Sequence, residues 1–215
     1  MEAPAAVYEK YASELSAIPN PMRRTFAAQT CLLDESAAAL MAALKARPSM
    51  LANTLLVVAS DNGANPAADS GGSNWPLRGM KGFYFEGGIR THALVHSALL
   101  PARARGTTHA ALFSVVDWLP TIVGGFLGAP GAVPAGLDGI DLWGSLTNTA
   151  GAAARDELLV NVDTSSDMMT GETVHTAALR MGDLKLLVGV QYQPVWPVPR
   201  NSSPPEGGPQ AAWEW

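Results

Sequence analysis

The sequence predicts an α/β fold, with a sheet flanked by helices and a small antiparallel sheet near the C-terminus. Residues 22–47 carry apolar side chains near helical spacing among many alanines, which indicates a long helix. Residues 53–59 form a short apolar run typical of a buried strand. Two apolar segments flank Gly182-Asp183, which is the signal of a two-residue β-hairpin.

Composition is that of an ordinary globular protein. With 215 residues the chain can bury one good core, or one domain and part of another. The net charge of −5 and the lack of a basic stripe argue against a nucleic-acid partner. No apolar run is long enough to span a bilayer, and the first residues lack the basic and apolar regions of a signal peptide.

The elements before residue 60 are a lead-in, a helix and a strand. Residues 5–20 read as a polar lead-in bounded by prolines, and Pro48 is expected to end the helix. The strand over 53–59 is predicted to lie buried in a parallel sheet. The apolar residues near helical spacing are Phe26, Cys31, Leu33, Leu40, Met41 and Leu44.

The middle of the chain is predicted to contain a long loop, a strand and a helix. Residues 61–90 have little periodicity and many Gly, Asn and Pro, as in a functional loop. Residues 91–97 read as a second buried strand. A helix is predicted from Ser114, as a possible N-cap, to Phe126, with Asp117 in a capping-box position.

The remaining residues are predicted to be loops followed by a small sheet. Residues 128–150 are loop-rich, residues 157–162 form a strand, and the hairpin around Gly182-Asp183 belongs to a small antiparallel sheet. The predicted domain organisation is a main-domain part over 1–150, a small antiparallel subdomain over 151–190 and an irregular Pro/Gly-rich tail over 191–215.

A candidate site follows the strand at 53–59. Asp61 and Asn62 place a carboxylate and an amide oxygen at a strand end, where ligands gather in α/β sheets. Lys81 follows on a loop that Gly79 and Gly82 make permissive. These side chains suit a hard cation with an oxyanion beside it. The alternatives are a plain Asp-Asn-Gly turn and an exposed loop lysine.

Other reactive side chains are given structural interpretations. Cys31 is the only cysteine, which excludes an internal disulfide, and it is expected to be a buried thiol in the helix rather than a nucleophile. His92 and His96 face the same side of a strand, so they form either a metal pair or a packing pair. Packing is favoured.

Several motifs share an order and spacing that resemble the sulfatase family, and most closely its arylsulfatase B-like group. The resemblance covers residues 5–190. The matching segments are Ser60-Asp-Asn-Gly63, Asn74-Trp-Pro-Leu-Arg-Gly79 with Lys81, Glu86-Gly-Gly-Ile-Arg90, Asp117-Trp-Leu-Pro-Thr121, Leu137-Asp-Gly-Ile-Asp141 and His175 to Leu187 with its Arg-x-Gly-Asp-x-Lys-Leu-Leu core.

The resemblance implies a calcium-dependent sulfuric ester hydrolase with an alkaline-phosphatase/sulfatase-like mixed sheet, present here only in part. Asp61 and Asn62 match two ligands of the family's calcium site, and Lys81 matches the lysine that contacts the sulfate and the leaving-group oxygen. The implied substrates are aryl sulfates or sulfated glycans. Family members are usually lysosomal, secreted or periplasmic.

The chain lacks two other family features, an early Asp-Asp pair and the Cys/Ser-x-Pro-x-Arg motif that provides the formylglycine nucleophile. It is therefore expected to correspond to the C-terminal half of a sulfatase, to be inactive by itself and to be marginally soluble. One alternative is a non-catalytic remnant that binds oxyanions or a partner chain. A phosphonate or phosphodiester hydrolase of the same superfamily is another, less favoured by the loop around Lys81.

Overall fold

A computed structural model describes residues 2–66, 70–166 and 173–189. These residues divide into two compact units, one ending at Ala98 and the other beginning at Leu99. Each unit contains its own antiparallel sheet. The tail predicted over 191–215 lies outside the described residues, and the domain boundaries near 150 and 190 stay predictions.

Four helices open the first unit: α1 (Ala5–Lys10), α2 (Ala12–Ser16), α3 (Pro21–Lys45) and α4 (Pro48–Ala52). The predicted long helix is thus confirmed as α3. Its start is fixed by Asn20, whose side-chain oxygen accepts a hydrogen bond from the Arg23 amide at 3.0 Å, and by Pro21 in the first turn. The lead-in predicted over residues 5–20 proves to contain two short helices.

The core of these helices joins one residue each from α1, α2 and α3. Val7 and Leu15 pack with Ala28, which is fully buried. By contrast, Phe26, Leu33 and Leu40 are exposed, although they lie at helical spacing. Within the described ranges, no helix has both the length and the apolarity needed to cross a membrane.

A two-stranded sheet completes the first unit. β1 (Leu55–Ala59) pairs with β2 (Ala93–Ser97) in antiparallel register, with Leu55 opposite Ser97. Both strands are where the sequence predicts them, but the parallel direction is wrong and so is full burial. Val58 is 44% exposed and its partner Leu94 57%. An apolar run favours a strand but carries no information on the direction of its neighbour.

The segment between β1 and β2 is the predicted long loop, with one short helix, α5 (Glu86–Ile89), near its end. Ser60 donates from its amide to the carbonyl of His92 at 3.1 Å, which extends the strand pairing by one step. The hydroxyl of Thr91 also donates to the Ser60 carbonyl at 3.2 Å. Both ends of the loop are therefore fixed together.

The second unit begins with irregular and helical segments. Short 3₁₀ turns lie at Ala102–Ala104 and Pro130–Ala132. The predicted helix appears as a continuous helical segment made of a 3₁₀ turn (Val115–Asp117), α6 (Trp118–Pro120) and a π-helical stretch (Thr121–Phe126), and α7 (Trp143–Leu146) follows. The Asp117 carboxylate accepts from the Ser114 amide at 2.8 Å, as its capping position predicts.

The second unit ends in a three-stranded antiparallel sheet of order β3 (Glu157–Ser166), β4 (Thr173–Met181) and β5 (Leu184–Val188). Met181 pairs with Leu184, which confirms the two-residue hairpin, and Gly182 takes a φ of +53° there. Since both sheets of the described chain are antiparallel, the alkaline-phosphatase-like mixed sheet stays a prediction.

Candidate functional site

The turn after β1 carries two side-chain oxygen atoms that accept no hydrogen bond from any described residue. Oδ1 of the exposed Asp61 accepts from the Asn62 amide at 2.8 Å. Nδ2 of Asn62 donates to the Gly63 carbonyl at 2.9 Å, and the Ser60 hydroxyl donates to the Asn62 carbonyl at 2.9 Å. Within the described residues, Oδ2 of Asp61 and Oδ1 of Asn62 therefore keep open acceptor positions.

The side-chain oxygen atoms of Asp61 and Asn62 are of the kind that calcium binds, but there are too few of them. Calcium binds carboxylate and amide oxygens and takes six to eight of them. Asp61 and Asn62 would supply two, and the described ranges contain no group of three or more His, Cys, Asp or Glu side chains placed to hold a metal. The turn alone therefore offers fewer oxygen atoms than a calcium ion requires.

The loop carrying Lys81 lies directly beside this turn. The Lys81 amide donates to the carbonyl of Ala64 at 3.2 Å, two residues after Asn62. The side chain of Lys81 is exposed, and its ammonium makes no ion pair with any residue that the structure describes. A lysine that is fixed through its main chain and free at its tip is available to bind an oxyanion.

Glycines allow the main chain of α5 to lie between the turn and the Lys81 loop. The Gly63 amide donates to the Gly88 carbonyl at 2.8 Å, and the Gly87 amide donates to the Arg78 carbonyl at 2.6 Å. A Cβ at Gly63 would stand 1.7 Å from the Gly87 carbonyl oxygen. Three of the sequence motifs therefore meet here through main-chain contacts that side chains would prevent.

Asn74 is a site residue to which the sequence assigned no role. Its Oδ1 accepts from the Ala64 amide at 2.7 Å, and its Nδ2 donates to the carbonyls of Ala64 at 2.8 Å and of Gly79 at 3.0 Å. It thereby ties the beginning of the Lys81 loop to the Asp61–Asn62 turn. The only sequence feature that could have pointed to Asn74 is its position as the first residue of the Asn-Trp-Pro-Leu-Arg-Gly motif.

Arg78 and Arg90 flank the site without entering it. The guanidinium of Arg78 lies 4.1 Å from the centre of the Phe85 ring, a cation–π contact that stabilises the loop. Arg90 is exposed, and its amide donates to the Glu86 carbonyl at 2.7 Å.

Among the described residues, the histidines and Cys31 form no group that could hold a metal ion. His92 and His96 are both exposed, and no metal group includes them in the described ranges. His109 is half-buried with Nε2 2.9 Å from the Ser145 hydroxyl oxygen, and burial lowers its pKa. Cys31 is a half-buried free thiol in α3, which agrees with its expected position in the helix but not with full burial.

Two motifs of the second unit contact each other. Asp117 accepts from the Ile140 amide at 2.9 Å, and the Thr121 hydroxyl accepts from the Leu142 amide at 2.9 Å. Arg155 completes the contact with an ion pair to Asp117. These residues hold the second unit together and offer no open ligand position.

Similarity to a known protein agrees with the motifs. The chain is 35% identical over 215 aligned positions to arylsulfatase J of Mus musculus, an alignment that covers 94% of this chain. The chain spans about a third of that relative, 34% of its length. No protein-family profile matches the sequence. The identity supports the sulfatase family that the motifs predicted, whereas likeness to the arylsulfatase B group in particular stays a prediction.

Proposed function

We propose that this chain supplies part of the active site of a sulfuric ester hydrolase of the arylsulfatase type. The observation that carries the proposal is the hydrogen bond from the Lys81 amide to Ala64, which places a free lysine beside the Asp61–Asn62 turn. The 35% identity to arylsulfatase J supports the reaction class. Aryl sulfates and sulfated sugars are both suitable substrates on this proposal.

In the proposed site, Asp61 and Asn62 would hold calcium through their open oxygen atoms. The bound ion would neutralise the sulfate oxygens and orient the ester for displacement. The ammonium of Lys81 would donate hydrogen bonds to a sulfate oxygen and to the leaving-group oxygen, where negative charge develops as the ester bond breaks. The exposure of Lys81 leaves it accessible to a substrate.

Hydrolysis needs further groups that this sequence lacks. The chain has no Cys/Ser-x-Pro-x-Arg motif for a formylglycine nucleophile and no Asp-Asp pair for additional calcium ligands. On this proposal those groups come from a polypeptide segment outside the 215 residues, and this chain alone binds sulfate without cleaving its esters.

A chimera tests the proposal. The matching segment of arylsulfatase J is replaced by this chain, and hydrolysis of p-nitrophenyl sulfate is measured with and without calcium. We expect calcium-dependent turnover, and a loss of about 10²–10³-fold in kcat for Lys81→Ala, as for removal of one oxyanion-stabilising donor.

The matched control is Lys45→Ala, which removes an exposed lysine at the end of α3. It should leave kcat unchanged. A folded chimera that hydrolyses neither aryl sulfates nor sulfated sugars would contradict the proposed function. An active chimera that tolerates Lys81→Ala would contradict the role of Lys81.

A further inference from the structure

The side-chain amide of Asn74 hydrogen-bonds to both main-chain groups of a single residue, Ala64. Oδ1 of Asn74 accepts from the Ala64 N–H at 2.7 Å, and Nδ2 donates to the Ala64 carbonyl at 2.8 Å. The second hydrogen on Nδ2 is used for the Gly79 carbonyl at 3.0 Å. A carboxylate of the same shape could keep only the first of these bonds, because it donates none.

The Ala64 carbonyl is the point where the two halves of the site join. Its oxygen accepts from Asn74 Nδ2 at 2.8 Å and from the Lys81 amide at 3.2 Å. Ala64 lies two residues after Asn62, and Gly79 lies two residues before Lys81. Asn74 therefore bonds both to Ala64, next to the Asp61–Asn62 turn, and to Gly79 in the Lys81 loop.

We propose that Asn74 is a positioning residue, which sets the Lys81 loop against the Asp61–Asn62 turn and so fixes where the lysine meets sulfate. This inference rests on the function proposed above. Asn74 acts through the main chain and is not assigned a contact with the substrate. Its side chain is half-buried with all three bonds directed to the main chain of the loop.

The first measurement is amide hydrogen exchange by NMR on the full ¹⁵N-labelled chain. In Asn74→Asp, two donated hydrogen bonds are lost and a carboxylate faces two carbonyls. We expect the Lys81 amide to exchange at least about tenfold faster than in the parent chain. Amides of the β1–β2 ladder and of the three-stranded sheet should be unchanged. Asn74→Ala, which adds no charge, should show the same local effect.

The matched control is Asn53→Asp. Asn53 is exposed and donates only to the Ser49 carbonyl one turn earlier, at 2.8 Å. The substitution introduces the same charge and leaves the loop contacts alone, so Lys81 exchange should stay at the parent rate.

The second measurement is titration of the same samples with inorganic sulfate, followed through the amide shifts at position 81 and at the neighbouring Ala64. We expect the apparent Kd to rise at least about tenfold in Asn74→Asp, and the response to vanish in Lys81→Ala. A residue that only stabilised the loop would change exchange without changing the sulfate affinity.

Three outcomes would overturn the inference. Exchange at Lys81 within twofold of the parent in Asn74→Asp would show that Asn74 does not hold the loop. Faster exchange with an unchanged sulfate Kd would reduce Asn74 to a loop stabiliser. If Lys81→Ala binds sulfate as the parent chain does, Lys81 does not bind sulfate. The positioning role of Asn74 is then contradicted as well, because it depends on Lys81.

Discussion

The Asp117 carboxylate is fully buried and hydrogen-bonded from every side. It accepts from the amides of Ser114 and Ile140 and from two nitrogens of Arg155, whose side chain is 11% exposed. The hydrogen bond to Asp117 raises the pKa of the Arg155 guanidinium. A buried charge so well satisfied is costly to leave unpaired.

Arg155→Met should therefore strongly destabilise the second unit. The carboxylate would stay buried without its counter-ion, and we expect the free energy of unfolding to fall by about 3–5 kcal/mol. Urea unfolding checks this. Arg47→Met, at an exposed arginine, should change the stability by less than about 0.5 kcal/mol. Equal effects of the two substitutions would argue against the ion pair as a stabilising contact.

At the scale of single residues, local sequence order is enough to single out a residue, but contacts made when the chain folds back on itself were not predicted. Asp61 and Asn62 stand out because they follow an apolar strand, and Asp117 because of its capping position. The partners of Asn74 and Arg155 are set by how the chain returns after 10 and 38 residues, which no local pattern encodes. The catalytic and metal roles of Asp61, Asn62 and Lys81 stay predictions.

Between secondary-structure elements, the site is held by main-chain contacts of the turn, the Lys81 loop and α5. Gly63 approaches α5 so closely that any side chain would collide with the Gly87 carbonyl. The amide of Gly63 also uses the Gly88 carbonyl as its acceptor. Gly63 and Gly87 are therefore required by space, whereas Gly79 and Gly82 of the Lys81 loop take positive φ values of 87° and 91°.

Gly63→Ala should loosen the site. Its Cβ would meet main-chain atoms that cannot rotate away, and we expect a loss of about 1–3 kcal/mol, as for overpacking in a core. Hydrogen exchange at the Gly63 and Lys81 amides measures the effect. Gly131→Ala is the control, since a Cβ there meets nothing within 4 Å. A Gly63→Ala chain as protected as the control would contradict the close approach.

Element prediction was accurate for position and weaker for orientation. The 22–47 helix and the hairpin appear where expected, because spacing, prolines and the Gly-Asp pair mark their ends. The face of α3 was less predictable. Its large apolar residues Phe26, Leu33 and Leu40 are exposed, whereas Ala28 is buried against Val7 and Leu15. Small residues permit close helix contacts, so hydrophobic size alone does not identify the packed face.

At the scale of the whole molecule, the two-stranded β1–β2 sheet leaves one apolar cross-strand pair exposed. Two strands alone are marginally stable, and an exposed apolar strand invites pairing with another chain. Val58 and Leu94 lie opposite each other there and are both substantially exposed. The parallel sheet predicted from the sequence would bury such residues on both faces, but the described residues add no third strand to this sheet.

Replacing Val58 and Leu94 together by threonine should reduce self-association. Threonine keeps the β-propensity and removes apolar surface from the exposed pair. Static light scattering against protein concentration is the measurement, and the double variant should stay monomeric at higher concentrations than the parent. Val115→Thr changes a residue that is 80% exposed in the other unit. If it improves solubility equally, the β1–β2 surface is not the cause.

The convergence of two hydrogen bonds on the Ala64 carbonyl has a consequence for mutational scanning. The oxygen that joins the Lys81 loop to the Asp61–Asn62 turn is a main-chain carbonyl oxygen. It belongs to Ala64, which is already an alanine. An alanine scan would skip this position and record it as silent. The scan would therefore show no effect at position 64 and would show effects only at neighbouring positions, although the contact between the Lys81 loop and the turn depends on the carbonyl of Ala64.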